Sequence, residues 1–402
     1  MDDVAAKSRK PVPRGIARSG PAILSYGFRP FFLAAGSFAV LAVAAWIGAL
    51  VLGWELGGDY SMVNWHAHEM LFGYTSAALA GFMLTAIPNW TGRLPVSGPP
   101  LLGLVLLWLA GRLVMAMPDV LGLGLSLLID ACFLPVLAVI AGIEIVSGKN
   151  WKNLKILFGL IALSIANVAF HLSVVFAGAA LEASRAAVSA YIMLIVIVGG
   201  RIVPSFTRNW LVKAGSTRLP APFGRFDIVA IAGLLAVLVL WVVLPQHPVT
   251  ALGATAAAAL HVVRWWRWRG WKTVDEPLLL ALHVGYAFVP LGMLAVALAA
   301  MGWIAQASAL HVLTVGAIGG MTLAVMTRAS LGHTGRPLKA SLITSLAYLA
   351  LALSAVLRPF AELISSQYHL LLELGGACWL IAFGLFVLEY GPILASPRIK
   401  GG

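Results

Sequence analysis

The sequence predicts an all-α polytopic membrane protein with about twelve transmembrane helices and both termini cytoplasmic. Three observations carry this. First, 61% of the residues are hydrophobic and only 10% are charged, whereas soluble domains carry about 25% charged residues. Second, apolar runs of about 20 residues, the length a helix needs to cross the hydrocarbon core, recur along the chain. They fall at 30–53, 62–87, 99–117, 120–146, 154–178, 185–206, 226–245, 249–268, 277–300, 307–328, 339–358 and 369–391. Third, lysine and arginine collect in every second connection. Lys7, Arg9, Lys10, Arg14 and Arg18 precede the first run, and Arg93, the cluster Lys149, Lys152 and Lys155, the stretch Arg208 to Arg225, the stretch Arg264 to Lys272, and Arg328 to Lys339 follow at alternate turns. The connections between them, Glu55 to Asp59, Met117 to Asp119, Leu181 to Ser184 and Leu244 to Pro248, carry few cations. Cations stay on the cytoplasmic side of a bilayer, so this alternation fixes the orientation.

The organisation that follows is a basic tail over 1–25, one transmembrane domain over 26–392 and a short tail over 393–402. No cleavable signal peptide, fixed-period repeat, low-complexity tract or soluble domain is visible. Pro135 is expected to kink the fourth span rather than end it. The segment Arg264-Trp265-Trp266-Arg267-Trp268-Arg269 reads as an interfacial anchor, because indoles and guanidinium groups both favour the headgroup level. The net charge of +12 sits in short loops, which indicates topology and contact with anionic lipid rather than nucleic-acid binding. Cys132 and Cys378 both lie in apolar runs. They offer no disulfide framework and no thiolate cluster, and are expected as core packing. Nucleophile-elbow, phosphate-loop and dinucleotide signatures are missing.

The chemistry begins in the second span, at Asn64 to Tyr74, where His66, His68 and Glu69 open a long apolar helix. Ionisable groups cost about 2.5 kcal/mol or more at mid-bilayer and usually face the bundle interior. Two histidines spaced i, i+2 stand about 200° apart around a helix, so they cannot readily chelate one metal together. They point instead to two sites on opposite sides of one helix. Topology puts His66, His68, His171, His311 and His369 at the outer end on four different helices. Several imidazoles at one depth point to metal or haem ligation, with a proton path or structural hydrogen bonding as the alternatives, and copper also accepts imidazole. His247 sits between Gln246 and Pro248 and is expected in solvent; His261 and His283, late in the eighth span and early in the ninth, both lie in the inner half, close enough to meet there or to serve as separate packing residues; His333 falls in a cytoplasmic loop. Glu69 is placed to orient an imidazole. Asp130, near mid-depth, and Glu373, one turn below His369, are proton carriers or partnered polar groups. Arg112 and Arg201 are costly in hydrocarbon. Arg201 follows Gly199 and Gly200 and precedes Pro204, a pattern compatible with a broken helix around an anion such as a haem propionate, or with anchoring at the inner interface.

Several segments resemble the NnrS family of bacterial inner-membrane proteins. They are Tyr26 to Phe32, Trp65 to Gly73, Gly199 to Asn209, and His311 through Met321 to Pro337. The resemblance spans nearly the whole chain. It implies about twelve spans, haem of b type together with copper, and a role in nitric oxide metabolism and resistance to nitrosative stress. A looser similarity to haem-copper oxidases and nitric oxide reductases implies a related helix arrangement, with His68 and His311 in ligand positions. The paired histidines of their seventh helix and the His-x-His of their tenth are absent here, which puts a standard binuclear centre in doubt. The functional expectation is a haem protein, also binding copper, that reduces or detoxifies nitric oxide with electrons from an unidentified donor. The expected ligands are His68, His311, His171 and His66, then His369, with His261 and His283 as further metal candidates; Glu69 and Asp130 are the expected proton groups and Arg201 a cofactor contact. The rival readings are a transporter or channel for a metal or iron-nitrosyl species, and a non-catalytic sensor or scavenger. The transporter reading finds no inverted-repeat signature.

Overall fold

The computed structural model describes residues 20–399, so Lys7, Arg9, Lys10, Arg14, Arg18 and Lys400 of the two expected tails lie outside the described residues. Among the described residues the chain is helical with no strand. The long helices are α1 (Phe28–Leu52), α2 (Met62–Thr91), α3 (Pro99–Ala116), α4 (Leu123–Ser147), α5 (Trp151–Ala177), α6 (Leu181–Lys213), α7 (Arg225–Val243), α8 (Pro248–Trp266), α9 (Pro277–Ala300), α10 (Gln306–His333), α11 (Leu342–Phe360) and α12 (Ser365–Ala395). Eleven of these are long and apolar enough to cross a membrane. The exception, α8, is a 19-residue helix that carries Thr250, Thr255, His261 and Arg264. It falls short in apolarity rather than in length, and buries Thr250, His261 and Arg264 inward.

Both described chain ends lie at one end of the bundle. Arg29, at the start of α1, donates to the carbonyls of Leu394 (2.8 Å) and Ser396 (2.5 Å), and the Ile399 amide donates to Thr334 at the end of α10. This is the end that carries the basic loops, and the opposite end is called outer below on the positive-inside rule.

Three sets of four helices build the bundle. In each set the helices pack in sequence, and the sets join where α4 meets α5, α8 meets α9 and α12 returns to α1. The second helix of each set, α2, α6 and α10, carries a π-helical segment: Glu69–Tyr74, Ile195–Gly199 and Val312–Gly319. These same three helices line a narrow apolar cavity of about 80 Å³ near the middle of the bundle, among whose walls are Met83, Tyr191 and Met321. The threefold pattern has no counterpart in a visible sequence repeat. Apolar packing constrains residue class and not residue identity, so an arrangement can repeat where letters do not.

Of two expectations about breaks, one holds and one changes. Regular hydrogen bonding in α4 lapses at Cys132, just ahead of Pro135, which supplies no N–H and crowds the carbonyl four residues back. The helix resumes at once, as a kink would require. Pro204 does not break α6, which runs as α-helix from Gly200 to Lys213 directly after its π segment. No broken helix surrounds an anion there. Cys132 also departs from its expected role, being exposed on the bundle surface rather than packed in the core.

Candidate metal centre

The loop into α2 sets the site. Gly57 and Gly58 both have positive φ (82° and 46°), and a Cβ at Gly58 would sit 1.9 Å from the Asp119 carboxylate. That tight turn buries Tyr60 completely. Ser61 then caps α2 through Asn64. The first stretch of α2 ends at His68, and the π segment begins at Glu69. A π turn leaves its carbonyls imperfectly paired, and such segments cluster at functional sites. Here outside donors serve them. The Tyr191 hydroxyl donates to the Leu71 carbonyl (2.7 Å) and the Trp108 indole to the Gly73 carbonyl (3.0 Å).

Around this turn a polar cluster gathers from α2, α3, α4 and α5. His68, Glu69, Arg112, Asp130, Asn167 and His171 are all buried. The Nε2 atoms of both imidazoles converge on one oxygen, Asp130 Oδ2, at 3.1 Å from His68 and 2.9 Å from His171. Each Nδ1 faces away, to Glu69 Oε1 for His68 (2.9 Å) and to the Tyr60 hydroxyl for His171 (2.9 Å). Asn167 bridges the two sides, with its amide nitrogen 3.0 Å from Asp130 Oδ2 and its oxygen 3.0 Å from His68 Nε2. Arg112 clamps both carboxylates. It donates to Glu69 Oε2 at 2.7 Å and to Asp130 Oδ1, and it lies over the Phe38 and Trp108 rings. Gly73 makes this possible, since a Cβ there would come within 2.5 Å of Arg112 Nη1.

The electrostatics are unbalanced in an informative way. Two carboxylates face one guanidinium, so with neutral imidazoles the buried cluster keeps one uncompensated negative charge. Buried charge is costly without a partner. A proton on an imidazole or a bound cation would supply the balance. One ligand atom each from His68, Asp130 and His171 all lie within 4.8 Å of one another, and no other such group of three occurs among the described residues. Tyr60 belongs to the loop outside the spans. Burial, aided by the nearby charges of Asp130 and Glu69, pushes its phenol above the ordinary range, so it stays a protonated partner for His171.

The other expected residues lie elsewhere. His66 points to the opposite side of α2, stacked on Trp46 at 4.4 Å. His311 bonds the Ala307 carbonyl one turn back on α10 (2.7 Å), and Arg358 pairs with Glu362 (2.8 Å). The structure therefore pairs His68 with His171, where the expectation had joined His68 to His311, and neither His66 nor His311 belongs to that group. His369 is exposed, with Tyr368 edge-on to its ring, and it joins neither group. Glu373 is exposed too. Arg201 is exposed at the inner end, bonded to Asn153 and lying over Trp90, far along α6 from the cluster. His261 and His283 do not meet. His261 bonds the Tyr286 hydroxyl (2.8 Å) and the Ala230 carbonyl, whereas His283 bonds Thr207 (2.8 Å). The reason is helical phase: Tyr286, not His283, is the α9 residue that faces α8. His247 is exposed and caps α8 through Val249. His333 ends α10 instead of lying in a loop, against the rings of Tyr26 and Phe28.

Two contributors were not singled out from sequence: Tyr60 and Asn167. Asn167 precedes His171 by one turn, and this i, i+4 spacing puts both on one face. Tyr60 left none, because its burial depends on the fold of a glycine loop.

No curated protein matches this chain. A family model does, described as NnrS protein, and it covers residues 22–398. With that coverage, and with the all-helical polytopic fold around a buried histidine-carboxylate cluster, the chain belongs to the NnrS family.

Proposed function

We propose that this NnrS-family chain is a bacterial inner-membrane metalloprotein of the nitric oxide response, carrying haem and copper, and that its reactive metal is held by His68, Asp130 and His171. The observation that carries the reading is the convergence of both Nε2 atoms on Asp130 Oδ2 while each Nδ1 is held from behind. Metal-ligating histidines characteristically fix their second nitrogen on a carboxylate, a carbonyl or another acceptor, which sets the tautomer and the ring orientation. Glu69 does this for His68 and Tyr60 does it for His171. The donor set of two imidazoles and one carboxylate suits copper or iron, which accept nitrogen and oxygen ligands. It does not suit a porphyrin, because the two rings stand 4.6 Å apart and Asp130 and Asn167 close the space between them.

A redox metal held here would supply a coordination site for nitric oxide and would pass on electrons from a donor for its reduction. The residues supply the rest. His68, Asp130 and His171 would bind; Glu69, Tyr60 and Asn167 orient; Arg112 holds both carboxylates in place. Converting two molecules of nitric oxide to nitrous oxide and water takes two electrons and two protons. Glu69 and Asp130 are the acids nearest to that chemistry, although the Arg112 clamp makes both better ligands and orienters than free proton carriers. The apolar surroundings suit a small neutral ligand that partitions into the bilayer.

The test is metal and haem analysis of the purified protein, followed by a nitric oxide electrode assay with added reductant. Catalytic loss of nitric oxide beyond one equivalent per metal supports reduction. Loss limited to one equivalent leaves a binding or sensing role and removes the enzyme.

A further inference from the structure

We propose that the apolar cavity between α2, α6 and α10 is a dry holding site for a small uncharged molecule, a short way along α2 from the metal cluster. That the molecule is nitric oxide rests on the reading above; the cavity itself rests on geometry.

The cavity measures about 80 Å³, several times the roughly 10–15 Å³ that one water needs. A buried water also needs about two to four polar partners, and this wall offers no free donor. Of its side chains only Thr75, Tyr191 and Thr322 carry a hydroxyl, and each is spent on backbone. The Thr75 hydroxyl donates to the Met70 carbonyl (2.7 Å), Tyr191 to Leu71 (2.7 Å) and Thr322 to Ile318 (2.8 Å). The rest of the wall is aliphatic, phenyl or thioether, with Gly199 bare. Voids lined in this way stay dry and accept apolar guests such as xenon.

The widened turns set where the void lies. Ile195, Val198 and Gly199 belong to the π segment of α6 and Ile318 to that of α10, while Thr75 follows directly on the π segment of α2. All three π segments therefore border one space. The carbonyls that the wall hydroxyls serve, those of Met70, Leu71 and Ile318, lie inside these segments. The same hydrogen bonds thus satisfy the widened turns and strip the cavity of polarity. The cluster is close by along α2. Thr75 is six residues from Glu69, about 9 Å or less at the helical rise. The side chains over that distance are Met70, Leu71, Phe72 and Tyr74, and the Phe72 ring stands 5.2 Å from the His68 ring. Apolar packing of this kind lets a small neutral molecule through as side chains move, and it excludes ions, which are costly to take from water. On the wall, Leu79, Phe82, Ile195, Ile202 and Val325 are only half-buried, so the void is not sealed. A guest held here is concentrated beside the metal ligands.

The experiment uses xenon first and nitric oxide second. Crystals of the full chain pressurised with xenon should show an anomalous peak between Met83, Tyr191 and Met321, and no ordered water there before pressurisation. An empty map in that space, or ordered water or a lipid tail filling it, overturns the site. Ala78→Phe puts a ring into the void. It should abolish the xenon peak and slow nitric oxide association with the reduced, metal-loaded protein several-fold, while metal content and the dissociation rate stay the same. An unchanged association rate in a variant that has lost its xenon peak overturns the supply of the cluster from the cavity. Should Ala78→Phe not accumulate, Met83→Ala enlarges the void and should raise xenon occupancy; equal occupancy overturns the site. A wild-type protein that takes up xenon here but binds no nitric oxide at its metal sinks the nitric oxide reading and leaves the dry site supported.

Discussion

Two charged clusters are buried in this bundle, and they are built differently. The outer one has two carboxylates, Glu69 and Asp130, around Arg112. The inner one has a single carboxylate, Asp227, with Arg264 at 2.9 Å and Arg267 at 3.7 Å. In the inner cluster the guanidinium is spent on structure. Arg264 also donates to the Tyr286 hydroxyl and to the Val196 carbonyl in the π segment of α6, and it packs against Gly200, where a Cβ would meet its Nη2 at 2.2 Å. The neighbouring imidazole, His261, turns to a carbonyl and a tyrosine and not to the carboxylate. In the outer cluster two imidazoles converge on one carboxylate oxygen, and the charge balance is negative instead of positive. Burial and ion pairing are common to both. Convergence of ligand atoms and an unfilled need for positive charge belong to the outer one alone, and these mark it as the candidate site.

The sharpest way to break the comparison is to remove the carboxylate from each cluster. Asp227→Ala leaves two arginines without their partner. Stranding a buried charge typically costs about 3–5 kcal/mol, so thermal unfolding in detergent should shift strongly while metal content per folded protein stays the same. Asp130→Asn, nearly isosteric, should show the reverse emphasis, with a smaller stability loss and metal lost from the protein. If Asp227→Ala depletes metal as much as Asp130→Asn does, the distinction between the clusters fails.

Smaller effects follow from the supports. Gly73→Ala forces a methyl against the Arg112 guanidinium, and overpacking of this kind costs about 1–3 kcal/mol; the outer cluster should loosen and the inner should not. Glu69→Gln and Tyr60→Phe remove the groups behind the two imidazoles, and losses of such supports lower metal affinity by about 10- to 100-fold. Competition with a chelator of known affinity would measure this, and unchanged affinity in both variants would remove their orienting role. The last and smallest effect is alkaline. Burial first, then the Asp130 and Glu69 charges, raise the Tyr60 phenol in the folded state. The folded protein therefore keeps a proton that the unfolded chain releases near pH 10. The contribution is complete below that pH and is lost above it, at up to about 1.4 kcal/mol per unit. Tyr60→Phe should make the fall in stability above about pH 10 shallower, and an identical slope would show that the phenol does not titrate differently in the two states.

The fold was largely legible because membrane helices announce themselves. Run length, charge alternation and the short connections placed all twelve helices, most of them to within four residues, including α8, which is the least apolar, while α6 and α10 run further inward than the apolar pattern indicated. The depth of His66, His68, His171 and His311 followed from topology. The opposed directions of His66 and His68 followed from helix geometry alone. Azimuth and neighbours did not follow. Whether His68 looks toward α5 or toward α10 depends on how four-helix sets close into a ring, and no local pattern encodes that. The same blindness hid the role of Arg112, whose partners come from α2 and α4, and it made the His261 and His283 pairing attractive on depth when helical phase separates them. The π segment after His68 was also invisible, since widened turns are settled by distant donors such as Tyr191 and Trp108.

The central claim is that His68, Asp130 and His171 hold the reactive metal. It is tested most directly by counting copper and iron in the purified protein against its His171→Ala variant, with circular dichroism to show that both are folded. The account predicts that the variant loses about one metal ion per chain while keeping its haem spectrum. Equal metal content in the two folded proteins would contradict it.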